Sequence, residues 1–406
     1  MIDKIYSYQS INNENLLIGT NYCHFRNGKL SSTFTYNFDF LKDSHFYHID
    51  PELSFIKSQG QHVENLPRCF MDSAPDRWGR NLIIKRKQAE TGRIPTLDDR
   101  DFLLGVSDET RQGALRFSLE ENGEFQHPET HVPKLLELPK LMHAAQQVSK
   151  QGVEAHEAIK ELLDAGSGSL GGARPKASVY DGNKLMLAKF PHHHDEWNMM
   201  AWEQTALDLA KIARIKVPHS KLVTIENQSV LLLERFDRKS TERIGYMSAM
   251  TMLEANDGDS KDYLELADEM PVYMEDTKQN LQELLRRIIF SIAINNTDDH
   301  LRNHGFLRTK KAWELSPIFD INPNPSTEAH RATTIAGAST ASDEFKALRE
   351  NIAMFDVSSA LFKEIVHDIH SAVSQWEKVA KKNGIKDKEI KTFEPMFTQR
   401  LVLLKE

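Results

Sequence analysis

Asp298, Asp299, His300 and Asn303 stand together in Asn296-Thr-Asp-Asp-His-Leu-Arg-Asn303, and Asp320 closes Ser316-Pro-Ile-Phe-Asp320 a short way beyond. Transfer of a phosphoryl group needs such a set. One carboxylate orients a hydroxyl and accepts its proton, while an amide and a second carboxylate hold Mg²⁺ against the phosphates. Mg²⁺ prefers oxygen ligands and usually keeps water and phosphate oxygens in its octahedron. Asp-x-x-x-x-Asn followed by Asp fits that need. A polar loop capping two elements would use the same residue types, and short motifs recur by chance.

Three further features precede it in the chain. Ala165-Gly-Ser-Gly-Ser-Leu-Gly-Gly-Ala-Arg-Pro-Lys176 holds four glycines and two serines. Glycine permits positive φ and close approach, so the backbone N–H groups of this loop could face phosphate oxygens. It has neither the Walker A spacing nor that of the usual kinase glycine loop, and a flexible linker has the same composition. Lys189 lies near the end of the apolar run Lys184–Phe190, where it could reach phosphates, and Glu203 in the next helix could pair with it. A surface lysine and a solvent-facing glutamate are the plainer alternative. Glu234 ends Val230–Leu233 just before Arg235-Phe-Asp-Arg238, where a hinge would meet an adenine ring. Each signal is weak alone. Their order along the chain (loop, lysine, helix glutamate, hinge, Asp…Asn, Asp) is the order a kinase needs.

The elements that must position these groups are partly legible. Asn27-Gly28 between alternating runs predicts a β-hairpin. Pro75 suits the start of a helix over Asp76–Glu90. Residues 121–134 lack periodicity and are read as the main linker, with helical patterning from Leu135 to Leu163. Asp181-Gly-Asn183 joins two β-like runs, and Glu226–Ser229 joins two more. Between them, Glu196–Ala213 reads as a helix, with Met200, Gln204, Leu207 and Ala210 or Lys211 marking one face. Leu281, Leu285, Ile288 and Ile292 recur at helical spacing, predicting a buried helix that ends at Asn295-Asn296. Ser316–Ile321 reads as a short apolar strand, and Phe355–Lys381 as mostly helical.

A chain of 406 residues suits two or three domains. Hydrophobic residues at 40% and charged residues at 27% are an ordinary globular balance. The net charge of −8 argues against a surface built wholly for nucleic acid. Arg77, Arg80, Lys85, Arg86, Lys87 and Arg93 form a local basic stretch, most simply a solvated helix face. Only two cysteines occur, too few for a disulfide scaffold or a Cys-rich zinc site, which fits a reducing cytoplasm. No apolar run is long enough to span a bilayer and no secretory signal is visible, so an intracellular protein with no membrane association is expected. Consecutive histidines on an extended segment alternate in direction, so His192, His193 and His194 read as an exposed loop.

Four motifs resemble one family. Gly168-Ser-Leu-Gly-Gly-Ala-Arg-Pro-Lys176, Leu233-Glu-Arg-Phe-Asp-Arg238, Asn295-Asn-Thr-Asp-Asp-His-Leu-Arg-Asn-His-Gly-Phe306 and Leu315-Ser-Pro-Ile-Phe-Asp-Ile-Asn-Pro323 are similar to the HipA kinases of bacterial toxin–antitoxin systems. Asp72–Arg80 and Leu103–Phe117 resemble that family's N-terminal region. The resemblance implies an α/β (α+β) chain with a protein-kinase-like two-lobed fold, a mostly helical C-lobe and an added N-terminal α/β subdomain. The expected divisions are 1–130 for the N-terminal subdomain, 135–238 for the small lobe and 239–406 for the C-lobe.

By position, the resemblance makes Asp298 the catalytic base, with His300 beside it, and Asn303 and Asp320 the Mg²⁺ ligands. It gives ATP binding to Lys189, with Glu203 its helix partner, to Glu234 and Phe236 at the hinge, and to Ser169, Gly171 and Gly172 in the loop. Ser169 takes the place of the loop serine these kinases autophosphorylate, and Ser167 could share that role. Roughly −1.5 to −2 charges placed where the ATP phosphates sit would block binding. Asp299 and Arg174 depart from the family's pattern; the spacing to His300 and Asn303 favours Asp298 over Asp299 as base. The family implies a small helix-turn-helix antitoxin as partner, contact with DNA only through it, and a protein substrate such as an aminoacyl-tRNA synthetase. The rival readings are a non-catalytic corepressor that binds ATP or the antitoxin, and a small-molecule or lipid kinase.

Overall fold

The computed structural model describes residues 3–11, 14–43, 46–54, 60–128, 131–151, 155–167, 172, 174–338 and 340–405. With 41% of residues helical and 21% in strands, the chain is mixed α+β as expected. It divides into two compact units: 1–194 with 225–228 and 234–247, and 195–224 with 229–233 and 248–406.

The first unit is built on an antiparallel sheet. Its strands are β1 (Asp3–Ile11), β2 (Glu14–Arg26), β3 (Lys29–Tyr36), β4 (Gln61–Glu64) and β5 (Leu115–Ser118), in the order β4-β3-β2-β1-β5. The predicted Asn-Gly hairpin joins β2 to β3. Asn27 (φ 52°) and Gly28 (φ 74°) take the paired positive φ values of a tight turn whose twist matches the strands. One sheet face buries Ile5, Ile18, Cys23 and Phe34, and Phe70 sits edge-on between Phe34 and Phe117.

The helix Arg77–Thr91 starts from Asp76, whose side chain caps the Gly79 N–H at 2.9 Å, and stops at left-handed Gly92. Pro75 stands directly before this cap. The basic stretch on this helix is largely paired: Arg80 with Asp99, Arg86 and Lys87 with Glu90. Strands β6 (Lys176–Asp181) and β7 (Lys184–Lys189) form the hairpin expected around Gly182.

Two expectations change here. The patterning from 135 to 163 resolves into two helices, Leu138–Gln151 and His156–Asp164. The segment 121–134 is not a boundary between units. The Asp108 N–H bonds to Gln126 O (3.0 Å), the Tyr180 N–H bonds to Pro133 O (2.8 Å), and Lys134 bridges Tyr180, so both flanks stay in one body. Residues 234–247, on both sides of position 238, group with the first unit.

β8 (Ser220–Ile225) and β9 (Gln228–Glu234) lie side by side, most of both in the second unit, whose remainder is mostly helical. The helix Met199–Ile212 is buried nearly all round rather than on one face. Trp202 stacks on Phe393 at 3.9 Å, and Trp376 on Phe397 at 4.5 Å. Among the described residues, no helix is long and apolar enough to cross a membrane.

Candidate active site

The helix Thr277–Ala293 delivers the Asp298 stretch. It is amphipathic, burying Leu281, Leu284, Leu285, Ile288, Ile289 and Ile292. It ends where the sequence predicted, and the reason is chemical. Asn295 adopts left-handed φ (54°), the Asn295 N–H bonds to Ile292 O at 3.1 Å, and the Asn296 N–H bonds back to Ser291 O at 2.9 Å. That pair of bonds is a Schellman stop, with asparagine in the place glycine usually takes.

Beyond the stop the two adjacent carboxylates part company. Asp298 is exposed and Asp299 is buried. Asp299 Oδ2 accepts hydrogen bonds from Tyr263 Oη (2.5 Å) and Ser291 Oγ (2.7 Å). His304 Nε2 approaches Asp299 Oδ1 to 3.0 Å without a well-formed hydrogen bond. Burial alone would raise the Asp299 pKa. His304, Tyr263 and the Arg331 charge outweigh it and hold the group well below the usual carboxylate range. Burial and the Asp299 charge in turn raise the Tyr263 phenol.

Asn303 closes a short 3₁₀ turn, Leu301–Asn303. Its Nδ2 donates to the Asp298 carbonyl at 3.1 Å, which commits the amide nitrogen and leaves Oδ1 as the atom able to ligate a cation.

A hairpin, Gly305–Arg308 with Trp313–Leu315, then leads back toward Asp320. The predicted strand Ser316–Ile321 is absent. Its backbone groups bond elsewhere (the Ser316 N–H to Gly305 O, the Ile318 N–H to Lys216 O), so no ladder forms. Asp320 takes φ 56°, a left-handed conformation uncommon outside glycine; such strain clusters at functional sites.

The segment after Asp320 is stitched to the Asp298 loop. The Asn322 N–H donates to Asn296 Oδ1 (3.3 Å), the Asn324 N–H to Asn295 O (3.2 Å) and Asn324 Nδ2 to Thr297 Oγ1 (2.9 Å). The two motifs, separate in sequence, are thus one hydrogen-bonded assembly. Within it Asn296 Nδ2, His300 Nδ1 and Asn322 Oδ1 are buried without a protein partner. Such atoms cost about 1–3 kcal/mol each when left unmade, and cluster where a ligand or water completes the site.

Among the described residues, no trio of His, Cys, Asp or Glu is arranged to hold a metal. Asn303 and Asp320 instead supply an amide and a carboxylate oxygen, a donor set that fits Mg²⁺ bound mainly through phosphates and water.

In the first unit, the ends of the Gly/Ser loop are pinned. Gly166 has φ 65°, and a Cβ there would lie 2.4 Å from Thr110, so glycine is required. Ser167 is buried and its hydroxyl accepts the Trp78 indole N–H at 3.3 Å. Lys176 is buried, with Nζ 2.7 Å from Asp76 Oδ2 and 2.9 Å from the Gly172 carbonyl. Gly172 has φ 107°. Ser169 and Gly171 lie outside the described residues.

Lys189 is only 5% exposed and Glu203 1%, so neither is the solvent-facing residue of the plainer reading. Glu234, half-buried, pairs with Lys184 at 2.8 Å, and the Arg235 N–H bonds to Leu185 O at 3.0 Å. Phe236 is half-buried beside them in sequence.

Sequence reasoning missed two clusters. One is the set of partners around Asp299: Tyr263, Ser291, His304 and Arg331. Of these only His304, next to Asn303, carried any local signal. The other surrounds Asp237, which pairs with Arg235 and Arg238 and accepts the Gly113 N–H at 2.8 Å. The dense charge of Arg235-Phe-Asp-Arg238 was its visible trace.

The histidine triplet lies in a loop as expected, with His193 and His194 exposed, but its rings do not alternate. The chain turns at 193–194, and the rings gather to 3.8–5.2 Å instead of alternating.

Comparison with known proteins follows the same lines. Residues 168–376 match the family described as the HipA-like C-terminal domain. HipA in a Shewanella oneidensis complex with HipB and operator DNA aligns over 99% of this chain and 96% of its own. Its TM-score is 0.66 at 15% identity, a likeness of fold. A Haemophilus influenzae protein with a provisional kinase name is 24% identical over 151 residues. These are 33% of this chain and 44% of that protein, so the chain spans less than half the length of that relative. The Helicobacter pylori proinflammatory kinase CtkA aligns over 58% of the chain at TM-score 0.45 and 14% identity, too distant to bear on the fold.

Proposed function

The chain belongs to the HipA-like C-terminal domain family, and from that premise we propose that it is an ATP- and Mg²⁺-dependent serine/threonine protein kinase. The observation that carries the reading is the division of labour in one loop. Asp298 faces solvent, Asp299 is buried and occupied, and Asn303 is tied to Asp298 by its amide nitrogen.

In the proposed reaction Asp298 orients a substrate hydroxyl and takes its proton as the hydroxyl oxygen bonds to the γ-phosphorus. The bond between that phosphorus and the β,γ-bridging oxygen breaks, and ADP leaves. Asn303 Oδ1 and Asp320 are the proposed metal ligands. A bound Mg²⁺ would neutralise charge on the phosphates. Lys189 is assigned to the phosphates, and its burial supports a charge that has work inside the fold. Glu203 is assigned to orienting that lysine. Glu234 and Phe236 are assigned to the adenine, and Gly171 and Gly172 to the phosphates. His300, with its unpartnered ring nitrogen, is assigned to the transition state.

Ser169 is the proposed site of self-phosphorylation. Ser167 fits that role less well, because its hydroxyl is buried against Trp78. The proposed partner is a small HipB-like antitoxin, through which DNA would be reached. Its support is the fold shared with a HipA that assembles with HipB and operator DNA. The proposed substrate class is a protein of the translation apparatus, and the proposed location the cytoplasm.

The test is incubation with Mg²⁺ and γ-labelled ATP, reading phosphate on Ser169 by mass spectrometry. Asp298→Asn should lower transfer by about 10²–10⁴-fold, the usual contribution of a general base, while the nucleotide still binds. No transfer by the wild type, with promoter repression by the partner complex retained, would favour the corepressor reading instead.

A further inference from the structure

The phosphoryl-transfer chemistry gives Asp298 and Asn303 tasks and leaves Asp299 without one. Yet several side chains converge on Asp299. A carboxylate that merely capped the preceding helix would sit near water and accept a backbone N–H. This one is buried and takes side-chain partners from three separate places. Tyr263 comes from the helix Tyr263–Glu269, Ser291 from the last turn of Thr277–Ala293, and His304 from just past Asn303.

A second layer backs the first. The Arg331 guanidinium donates to Ser291 Oγ at 2.9 Å and to the Asn296 carbonyl at 2.7 Å. It also pairs at 3.0 Å with Glu344 of the helix Ala341–Glu350.

We infer that Asp299 is a positioning residue. Its carboxylate, clamped by Tyr263 and Ser291, fixes the backbone from Asn296 to Asn303 so that Asp298 is presented outward and the Asn303 amide stays in register beside it. The inference rests on the kinase reading. Its physical basis is that hydrogen bonds to a charged acceptor in a dry interior are short, strong and directional. A loop anchored this way loses the freedom that would otherwise blur the geometry of its exposed neighbour.

The consequence is a split in the kinetics. Tyr263→Phe keeps the ring and removes only the hydroxyl that Asp299 accepts. Because displacement of a catalytic group by about 1 Å can cost on the order of 100-fold, Tyr263→Phe and Asp299→Asn should each slow single-turnover transfer by about tenfold or more. The dissociation constant for a fluorescent Mg²⁺-ATP analogue should stay within about twofold, as for an interaction felt only in the transition state. The double variant should be little slower than Asp299→Asn alone, since both remove one contact.

Transfer at the wild-type rate in both single variants would overturn the inference while leaving the kinase reading intact. So would a loss of transfer matched by an equal loss of nucleotide affinity, the mark of a merely structural role. If Asp299→Asn does not fold, Tyr263→Phe decides alone. A wild-type protein that transfers no phosphate removes the parent reading and this one with it.

Discussion

Asp237 in the first unit and Asp299 in the second are both buried carboxylates held below their ordinary titration range, and they are held by opposite means. Burial would raise Asp237, but the Arg235 and Arg238 charges overcome it, with the Gly113 N–H adding a further bond. Asp299 is clasped by two hydroxyls, with the His304 ring at 3.0 Å and the Arg331 charge behind them. The contrast separates two uses of a buried charge. At Asp237 each partner is itself a charge that needs the carboxylate, because removing either side strands the other. At Asp299 each hydroxyl can be removed without stranding a second buried charge, and what the hydroxyls hold is the direction of a loop. One network keeps a body folded; the other aims a neighbouring residue.

The largest effect on stability is therefore expected at Asp237. Replacing it with alanine leaves the Arg235 and Arg238 guanidiniums buried without their shared partner, and should cost about 3–5 kcal/mol in urea unfolding. An unchanged midpoint would break the comparison. Tyr263→Phe is expected to cost less, about 1.5–3 kcal/mol of stability, the net worth of one hydrogen bond to a charged group. A loss as large as that at Asp237 would make the two networks the same kind.

Acid–base behaviour sharpens the contrast within the first unit. Asp50 accepts the Cys69 and Glu52 N–H groups at 2.7 and 3.0 Å, yet burial pushes its pKa up to about 7. The folded state thus holds this proton more tightly than the unfolded chain. Its stabilising contribution is full below the unfolded value near pH ~4 and is lost as pH rises toward the folded value. Asp237 runs the other way: its contribution is present above the unfolded value and disappears in stronger acid. Asp50→Asn should flatten the fall in urea midpoint between pH 5 and 8; parallel profiles for variant and wild type would contradict it.

The smallest effect is expected at Lys184, whose pairing with Glu234 is largely exposed. Lys184→Ala should move stability by no more than about 1 kcal/mol, a typical surface pair.

What the sequence made legible was local. The Asn27-Gly28 turn and the helix stop at Asn295 depend on a few adjacent residues with distinctive φ preferences, and both stand as read. The pairing of Asp298 with Asn303 was visible as spacing, and one hydrogen bond gives it form. The misreadings came from longer range. Ser316–Ile321 looked like a strand because Ile318 and Phe319 are apolar, but its N–H groups had other carbonyls to meet. Asp299 was the least explained residue because the atoms that explain it come from positions 263, 291 and 331, which no local pattern connects. The linker at 121–134 misled for the same reason: its polar composition was evident, while its bonds to Asp108 and Tyr180 were not.

Asp298, not its buried neighbour, is the residue on which the account depends. The most direct test is single-turnover transfer of the γ-phosphate by Asp298→Asn beside the wild type, with nucleotide binding measured on the same samples. Bound nucleotide and a rate lower by about 10²–10⁴-fold are expected. Transfer at the wild-type rate by Asp298→Asn would contradict it.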